Sequence, residues 1–432
     1  MKNVLVYPCG TEIALEFYRA MAYSTHYSII GGVDSYDHGR FVFENVIEGL
    51  PFITDKSTKE DIMEFQHKIE PYDIDLIYPA MDGVIKKFSD YREYLKPILC
   101  ICNKETNELT RSKGKTYLAL EKYIHVPKTY ENIESVKEED FPVFVKPDVG
   151  QGAVGAKKIN SKKELVNFFD GNDKKYVICE FLPGEEYTVD CLTNKSGKLI
   201  FSQARARKRI KDGISVNSIS IDDTQLTTIA QTINSHVSFK GAWFFQVRKN
   251  NQGEYVLMEI ASRIAGASSY TRAMGVNLPE LTLEIFSGSD IDFVLPNDYT
   301  VEQDRALYNA YDSNISFSKV YMDYDDTVTC RGKLNDRIIQ FIAKCKNHKI
   351  PVILLSRHDG DLNTELSNWG ITGLFDKVVH MDRKKPKSDF ISDKNSIFID
   401  DSFGERKQVK EAVGIPTFEP SMVEFLINRR GF

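Results

Sequence analysis

Two carboxylates stand two positions apart at the end of an apolar run in the last third of the chain. Asp323 follows residues 320–322, and Asp325 lies one step into the next loop, in the sequence Asp-Tyr-Asp-Asp-Thr. The apolar run predicts a buried strand, so both side chains would enter one small pocket at its end. One carboxylate could then attack phosphorus while the other moves a proton to and from the leaving and entering oxygens.

Three more polar side chains follow two further apolar runs in the same region. Residues 350–355 predict a short parallel strand buried on both faces, and Ser356 at its end offers a hydroxyl that could hold a phosphoryl oxygen. Residues 396–399 predict another such strand, which ends at Asp400 and Asp401. Oxygen ligands of this kind suit Mg²⁺. These strand ends are therefore predicted to form a phosphate site with magnesium.

A basic run at residues 383–387 lies between these two strands. One of its ammonium groups could offset the charge of a phosphate and of the neighbouring carboxylates. Lys387 is the first choice because the short helical stretch 388–391 follows it, and Lys385 is the alternative.

The order Asp-x-Asp-x-Thr, Ser, Lys, Asp-Asp resembles the haloacid dehalogenase superfamily, from about residue 318 to the C-terminus. The resemblance implies a Rossmannoid domain that hydrolyses a phosphate ester through an aspartyl-phosphate. The intervening segments are too short for a large cap domain. The implied roles are nucleophile for Asp323, general acid and base for Asp325, phosphate binding for Thr327 and Ser356, charge neutralisation for Lys387, and magnesium binding for Asp323, Asp325, Asp400 and Asp401. The alternative is an unrelated α/β domain with acidic loops.

A second group of residues suited to phosphate chemistry lies in the middle of the chain. The predicted strand 141–147 carries Lys146 near its end and is followed by Gly150, Gly152 and Gly155 before the chain returns in another strand. Backbone N–H groups of such a loop can fold over phosphates while the lysine meets them from the strand. An ordinary hairpin tip is the alternative.

Later segments could complete a nucleotide site. Residues 176–182 predict a strand that becomes a linker, whose backbone edge could bind a purine, and Glu186 is placed for the ribose hydroxyls. Two antiparallel strands predicted within residues 241–259 would bring Gln246 and Glu259 together as oxygen ligands for Mg²⁺.

This succession resembles the ATP-grasp superfamily, in its carbamoyl-phosphate-synthase-like and D-alanine–D-alanine-ligase-like branches, from residue 1 to about 300. The resemblance implies ATP and Mg²⁺ as cofactors. The implied nucleotide-binding residues are Lys113, Lys146, Gly150, Gly152, Gly155, Glu180, Phe181, Leu182 and Glu186. Gln246 and Glu259 match metal ligands, and Arg263 matches the arginine of a Glu-Ile-Asn-Pro-Arg motif. Ala261 stands where that motif has an asparagine ligand, so one ligand is missing unless Ser262 or water replaces it.

A strand rich in arginine precedes these metal ligands. Arg205, Arg207 and Arg209 alternate along it. Guanidinium groups suit planar oxyanions, so Arg207 and Arg209 in particular are predicted to bind the acyl-phosphate or a carboxylate. The alternative is an exposed charged strand.

The two resemblances together imply a bifunctional enzyme. An ADP-forming ligase would join a carboxylate to an amine through an acyl-phosphate, and a magnesium-dependent phosphatase would act on a phosphate monoester of the same pathway. One alternative is a phosphatase whose first part only binds nucleotide or substrate, or regulates. Another is a scaffold protein that senses ATP. The implied partners are small-molecule carboxylates, amines and phosphate esters, and a homodimer is left open.

Composition limits the class of protein. The chain has 432 residues, 42% of them hydrophobic and 27% charged, with a net charge of −6, which gives no reason to expect a nucleic-acid partner. Its apolar runs are too short to span a membrane, and its seven dispersed cysteines favour a reduced, cytoplasmic setting. We expect an α/β multidomain protein with an open parallel sheet at residues 1–105, ATP-grasp α+β domains at 106–305 and a phosphatase domain at 306–432.

Overall fold

The computed structural model describes residues 1–150, 152, 154–170, 175–382 and 384–431. The chain divides into two units, Met1–Leu307 and Tyr308–Phe432. The boundary between the two units lies between residues 307 and 308. The further division of the first unit near residue 105 stays a prediction. Within the described residues, every helix falls short of the length and apolarity that a membrane span requires.

The first unit begins with a five-stranded parallel sheet in the order β3-β2-β1-β4-β5. Its elements are β1 (Lys2–Tyr7), α1 (Glu12–Met21), β2 (Tyr27–Gly32), α2 (Gly39–Val42), β3 (Asn45–Ile47), α3 (Lys59–Ile69), β4 (Leu76–Pro79), α4 (Asp82–Asp90), β5 (Ile98–Leu99), α5 (Lys104–Arg111) and α6 (Lys113–Leu120). This confirms the open parallel sheet predicted for the start of the chain.

The two central strands of this sheet are β1 and β4. The chain continues from β1 to β2 toward one edge of the sheet, and from β4 to β5 toward the other edge. In open α/β sheets, ligands bind beyond the carboxyl ends of the strands at such a switch point. Thr11, which caps α1, links the two strand ends. Its hydroxyl accepts from the Ala14 N–H and donates to the Ala80 carbonyl, with an oxygen–oxygen distance of 3.1 Å to the latter.

Two antiparallel sheets follow in the first unit. The smaller has the order β6-β9-β7-β8, and the larger has the order β14-β13-β10-β11-β12-β15. Their elements are β6 (Thr129–Tyr130), β7 (Val143–Pro147), β8 (Lys157–Ile159), α7 (Lys162–Phe169), β9 (Tyr176–Glu180), β10 (Glu186–Thr193), β11 (Leu199–Lys211), β12 (Ile214–Ile221), α8 (Thr224–His236), β13 (Gly241–Lys249), β14 (Tyr255–Ala261), α9 (Ser269–Ala273), α10 (Leu278–Phe286) and β15 (Glu302–Asp304). One face of the larger sheet packs on α8.

The second unit contains a five-stranded parallel sheet in the order β20-β19-β16-β21-β22 and a two-stranded hairpin, β17–β18. Its elements are β16 (Lys319–Met322), β17 (Thr329–Cys330), β18 (Lys333–Leu334), α11 (Asp336–Asn347), β19 (Val352–Ser356), α12 (Leu362–Asn368), β20 (Lys377–His380), β21 (Ser396–Ile399), α13 (Phe403–Val413), β22 (Thr417–Phe418) and α14 (Val423–Ile427).

The central strand β16 is buried on both faces. Val320 and Met322 belong to a hydrophobic cluster that includes residues of α11, α12 and α14, whereas Tyr321 belongs to a second cluster with Val409 of α13. Helices on both faces explain why the parallel strands are near-continuous apolar runs, as predicted. The hairpin β17–β18 was not expected from the sequence.

Candidate active sites

A cavity of about 390 Å³ lies in the first unit, beyond the carboxyl ends of β1 and β4. Thr11 and Ala80 follow these strands and contribute to one side, while β13 and β14 contribute Phe244 and Glu259. The predicted site residues that line this cavity are Lys113, Gly150, Gly152, Arg207, Gln246, Glu259 and Arg263.

Glu259 lies on the cavity side of β14 because the strand contains a β-bulge. The pairing with β13 shifts after Gln246 and Glu259, so Met258 has no partner in the ladder. A bulge interrupts the regular alternation of faces. Leu257 and Ile260, three positions apart, consequently pack in the same hydrophobic cluster. The predicted pairing of Gln246 with Glu259 is present, and both side chains line the cavity.

Two lysines lie beside Glu259. Lys113 Nζ is 3.9 Å from Glu259 Oε2 and 3.3 Å from the Gly150 carbonyl oxygen. Lys146, which is buried near the end of β7, donates to the Met258 carbonyl at 3.4 Å. Burial lowers the pKa of Lys113; Glu259 opposes that effect and Lys146 adds to it. Two ammonium groups beside a carboxylate suit a polyphosphate and its metal ion.

Asp148 is a functional candidate that the sequence reasoning missed. Its buried carboxylate accepts from Ser112 Oγ at 2.9 Å and from the Gly114 N–H at 2.8 Å, and its carbonyl accepts from the Lys113 N–H at 3.1 Å. These bonds fix the start of α6, and with it Lys113, against the end of β7. The available signal was its position, two residues after Lys146.

The predicted purine-binding segment lies at the end of β9. Glu180 Oε1 accepts from the Lys128 N–H at 2.9 Å, Lys158 Nζ lies 4.3 Å from the centre of the Phe181 ring, and Leu182 is buried. None of these three predicted residues is among those that line the cavity. Their role toward a purine stays a prediction, as does that of Gly155, which has a φ of +78°.

Arg207 joins two other predicted ligands. Its guanidinium forms an ion pair with Glu186, donates to Gln246 Oε1 at 3.3 Å and donates to the Gly213 carbonyl at 2.6 Å. Glu186 and Gln246 are thus held at one guanidinium, together with the turn between β11 and β12.

Arg209 does not reach the cavity, so its grouping with Arg207 was wrong. The ladder between β11 and β12 shifts after Arg207. Lys208 therefore has no partner residue on β12, and the expected alternation of side chains between the two faces is broken. Arg209 is 60% exposed and donates to both carboxylate oxygens of Asp304 at 2.9 Å.

Arg205 is a buried residue of the same strand that does line the cavity. Its Nε donates to Asp190 Oδ2 at 2.9 Å, and its NH1 donates to Ser218 Oγ at 3.3 Å. The alternative of an exposed charged strand is therefore wrong for Arg205 and Arg207, whose side chains are 2% and 6% exposed.

Arg263 lies at the wall of the cavity, where it is paired with Asp82 at the start of α4. Its Nε is 2.6 Å from Asp82 Oδ1 and its NH2 is 2.8 Å from Asp82 Oδ2. Ala261 at the end of β14 has no side-chain oxygen. Gln246 of β13 and Glu259 of β14 are therefore the side chains of this strand pair that bring oxygen atoms to the cavity.

The second unit gathers most of its predicted residues at the carboxyl ends of β16 and β21. Lys387 Nζ lies 2.7 Å from Asp323 Oδ1 and 2.6 Å from Asp400 Oδ2. Burial raises the pKa of the Asp323 carboxyl to about 6; Lys387 opposes this rise and Asp400 adds to it. The structure thus places Lys387 in the cluster, whereas the alternative Lys385 is exposed. Arg383 of the same basic run lies outside the described residues.

Hydroxyls and a third carboxylate surround this cluster. Thr327 and Ser356 are fully buried; their hydroxyl oxygens accept from the Asp401 N–H at 3.1 Å and the His358 N–H at 3.0 Å. Asp323, Asp400 and Asp401 each offer a carboxylate oxygen, and these oxygens lie within 4.8 Å of one another.

Asp325 is not in this carboxylate group, so the structure does not place its side chain among the metal ligands. It lies instead against His358, whose Nδ1 is 2.9 Å from Asp325 Oδ1. The side chain of Asp325 is half-exposed. His358 was missed by the sequence reasoning, although it follows Ser356 by two positions.

Part of the first unit matches a known family model. Residues 172–305 match the family model described as ATP-grasp in the biosynthetic pathway with Ter operon. No curated protein sequence matches the chain.

Solved structures show the same mixed α/β fold. The biotin carboxylase domain of Hydrogenobacter thermophilus 2-oxoglutarate carboxylase, solved as a dimer with MgADP, ADP and bicarbonate, is 14% identical, with a TM-score of 0.59 over 70% of this chain and 73% of that chain. Campylobacter jejuni biotin carboxylase is 15% identical (TM-score 0.55, 67% and 72% covered), and Staphylococcus aureus N5-carboxyaminoimidazole synthetase is 15% identical (TM-score 0.53, 68% and 78% covered). At these identities the likeness shows the fold.

Proposed function

We propose that the first unit is an ATP-grasp ligase that joins a carboxylate to an amine and forms ADP and phosphate. The observation that carries this proposal is the contact of Lys113 with Glu259, and of Lys146 with the adjacent Met258 carbonyl, near a cavity of substrate size. The match to an ATP-grasp family model and the MgADP bound by a protein of the same fold support it.

In the proposed reaction, a substrate carboxylate oxygen attacks the γ-phosphorus of ATP, and the bond from that phosphorus to the ADP oxygen breaks. The amine nitrogen then attacks the acyl carbon, loses a proton to solvent and expels phosphate. Lys113 and Lys146 neutralise the phosphates, while Arg263 stabilises the charge that develops on the transferred group.

The residues of the cavity fit one magnesium ion. Gln246 and Glu259 are cross-strand neighbours with oxygen donors on the same face, whereas Ala261 has none to offer. When bound, the ion would neutralise phosphate charge, and phosphate and water oxygens would fill the rest of its shell.

We propose further that the second unit is a magnesium-dependent phosphatase of the haloacid dehalogenase type. The supporting observation is Lys387 between Asp323 and Asp400 at parallel strand ends. Asp323, Asp400 and Asp401, whose oxygens lie within 4.8 Å of one another, would hold one magnesium ion, which would offset phosphate charge. Asp323 attacks phosphorus, and Asp325 protonates the departing alcohol; Asp325 then takes a proton from the water that releases phosphate and restores Asp323.

The ligase proposal is tested by screening amino acids and sugar acids, with candidate amines, for stimulated ADP release at fixed ATP and Mg²⁺. The phosphatase proposal is tested by phosphate release from p-nitrophenyl phosphate and sugar phosphates. Phosphate-ester hydrolysis without ADP formation from any pair would favour the other function, in which the first unit only binds nucleotide. The absent oxygen donor at Ala261 is the feature that favours this second function.

A further inference from the structure

The turn that follows β14 is held from three sides by residues of the parallel-sheet region. Ser262 Oγ donates to Asn107 Oδ1 at 3.0 Å, and the Ile264 N–H donates to the hydroxyl of Tyr78 at 3.1 Å. Between these two anchors, Arg263 donates to Asp82 through two nitrogens. Three successive residues therefore each have a separate partner from β4, α4 or α5.

These anchors are shielded from solvent. Tyr78 and Asn107 are each 2% exposed, and the side chains of Asp82 and Arg263 are 18% and 10% exposed. Burial opposes ionisation of Asp82, yet the adjacent Arg263, with Arg111 and Lys113, holds the pKa of the Asp82 carboxyl below its ordinary value. The pair is thus a charged, two-point contact whose geometry is set by both partners.

The contacts of Arg263 leave a defined part of its guanidinium for a ligand. Arginine has five N–H donors in a planar fork. Nε and NH2 each give one to Asp82, and NH1 gives one to the Ile264 carbonyl at 3.0 Å. Among the described contacts this accounts for three donors. One N–H on NH1 and one on NH2 remain, at the wall of the cavity that Arg263 lines.

We infer that Asp82 is a positioning residue that acts through Arg263. The inference rests on the proposed ligase function, in which Arg263 stabilises charge on the transferred phosphoryl group. Asp82 fixes the plane of the guanidinium, so that its two remaining donors face the reacting atoms. The first parallel sheet would thereby contribute to the chemical step, since α4 begins at Asp82. ATP itself would still be held by Lys113 and Lys146.

The test measures steady-state ADP formation by the full chain with its best carboxylate and amine pair. We expect Asp82→Ala to lower kcat by about 100-fold with little change in the KM for ATP. Arg263→Ala should lower kcat at least as much, and the double variant should be no worse than Arg263→Ala alone. Asp90→Asn, at the far end of the same helix, is the matched control and should be fully active.

Added guanidinium supplies a second readout that a general loss of structure would not give. It should partly restore Arg263→Ala when Asp82 is present, and should fail in the double variant. If Asp82→Ala does not fold, Asp82→Asn, which keeps one acceptor, should give an intermediate loss of kcat.

Additive losses in the double variant, or guanidinium rescue that is independent of Asp82, would overturn the positioning role and leave the ligase proposal intact. Wild-type protein that forms no ADP with any pair would overturn both.

Discussion

The ammonium nitrogen of Lys387 lies 2.6 Å from Asp400 Oδ2, and both side chains are almost completely buried. The same nitrogen contacts Asp323 at 2.7 Å, so one cation holds two carboxylates that would otherwise repel each other. An ion pair of this kind does not guarantee stability, but removal of one partner leaves uncompensated buried charge.

Lys387→Met should therefore lower the free energy of unfolding by about 3 kcal/mol when EDTA is present. Magnesium should recover part of that loss, because a bound cation would replace the missing ammonium among Asp323, Asp400 and Asp401. Urea unfolding with EDTA and with Mg²⁺ measures both effects. Lys385→Met, an exposed residue of the same run, is the control. Equal losses from both variants would contradict the buried cluster.

Asp323→Asn should lower phosphatase turnover by about 1,000-fold or more, because the amide cannot form the aspartyl-phosphate. ADP formation should remain close to that of the wild type. Phosphate release from p-nitrophenyl phosphate and ADP release in a ligase assay are measured on one preparation. Asp326→Asn, an exposed neighbour with a φ of +50° that asparagine tolerates, should keep both activities. Equal loss of both activities in Asp323→Asn would show that the centres are not independent.

Lys146→Ala should lower ATP turnover by about 100-fold, since the buried ammonium that contacts the Met258 carbonyl, next to the proposed metal ligand Glu259, is lost. The control is Lys157→Ala on the neighbouring strand, where the lysine is 53% exposed and pairs with Glu164. Initial rates of ADP release over a range of ATP concentrations separate kcat from KM. Wild-type turnover in Lys146→Ala would rule out the assigned nucleotide site.

Gly213→Ala should impair ATP binding as well as stability, because Gly213 lies against Gly152, which is predicted to bind the nucleotide. A Cβ at Gly213 would lie 2.5 Å from the Gly152 backbone, and the residue has a φ of +77°. Gly197, in another turn of the same sheet, has a φ of +86° and open space around its Cα. Gly197→Ala therefore carries only the conformational cost, about 1 kcal/mol. Calorimetry with an ATP analogue should show weaker binding for Gly213→Ala alone, and identical affinities would contradict the close approach.

The stability contributed by Asp82 should depend on pH in the acidic range. Its pKa lies below the ordinary value of 3.8, so the folded state favours the ionised form more than the unfolded state does. That contribution is complete above pH 3.8 and is lost as the pH falls through the lowered folded-state pKa. The difference in unfolding free energy between wild type and Asp82→Asn should shrink over this interval in urea titrations. A constant difference would show that the charge of Asp82 is not the cause.

The sequence predicted the strands, and the polar residues at their ends, better than it predicted the face of the sheet on which each side chain lies. Ser396–Ile399 was predicted with its correct bounds, because an apolar run buried on both faces needs no knowledge of register. Arg209 was misplaced because the extra residue Lys208 is visible only when β11 is paired with β12. Asp148 and His358 were missed because their partners are distant in sequence, across the fold.

The bulge at Met258 shows how small a change could undo the cavity. If Met258 were retained but paired in a regular ladder, strict alternation from Leu257 would turn Glu259 toward the packed interior and Ile260 outward. Loss of Met258 itself would not have this effect, because Leu257 and Glu259 would then be adjacent and would stay opposite Val247 and Gln246. The carboxylate at the proposed cation position therefore depends on the backbone conformation of one extra residue and not on the side chain of that residue.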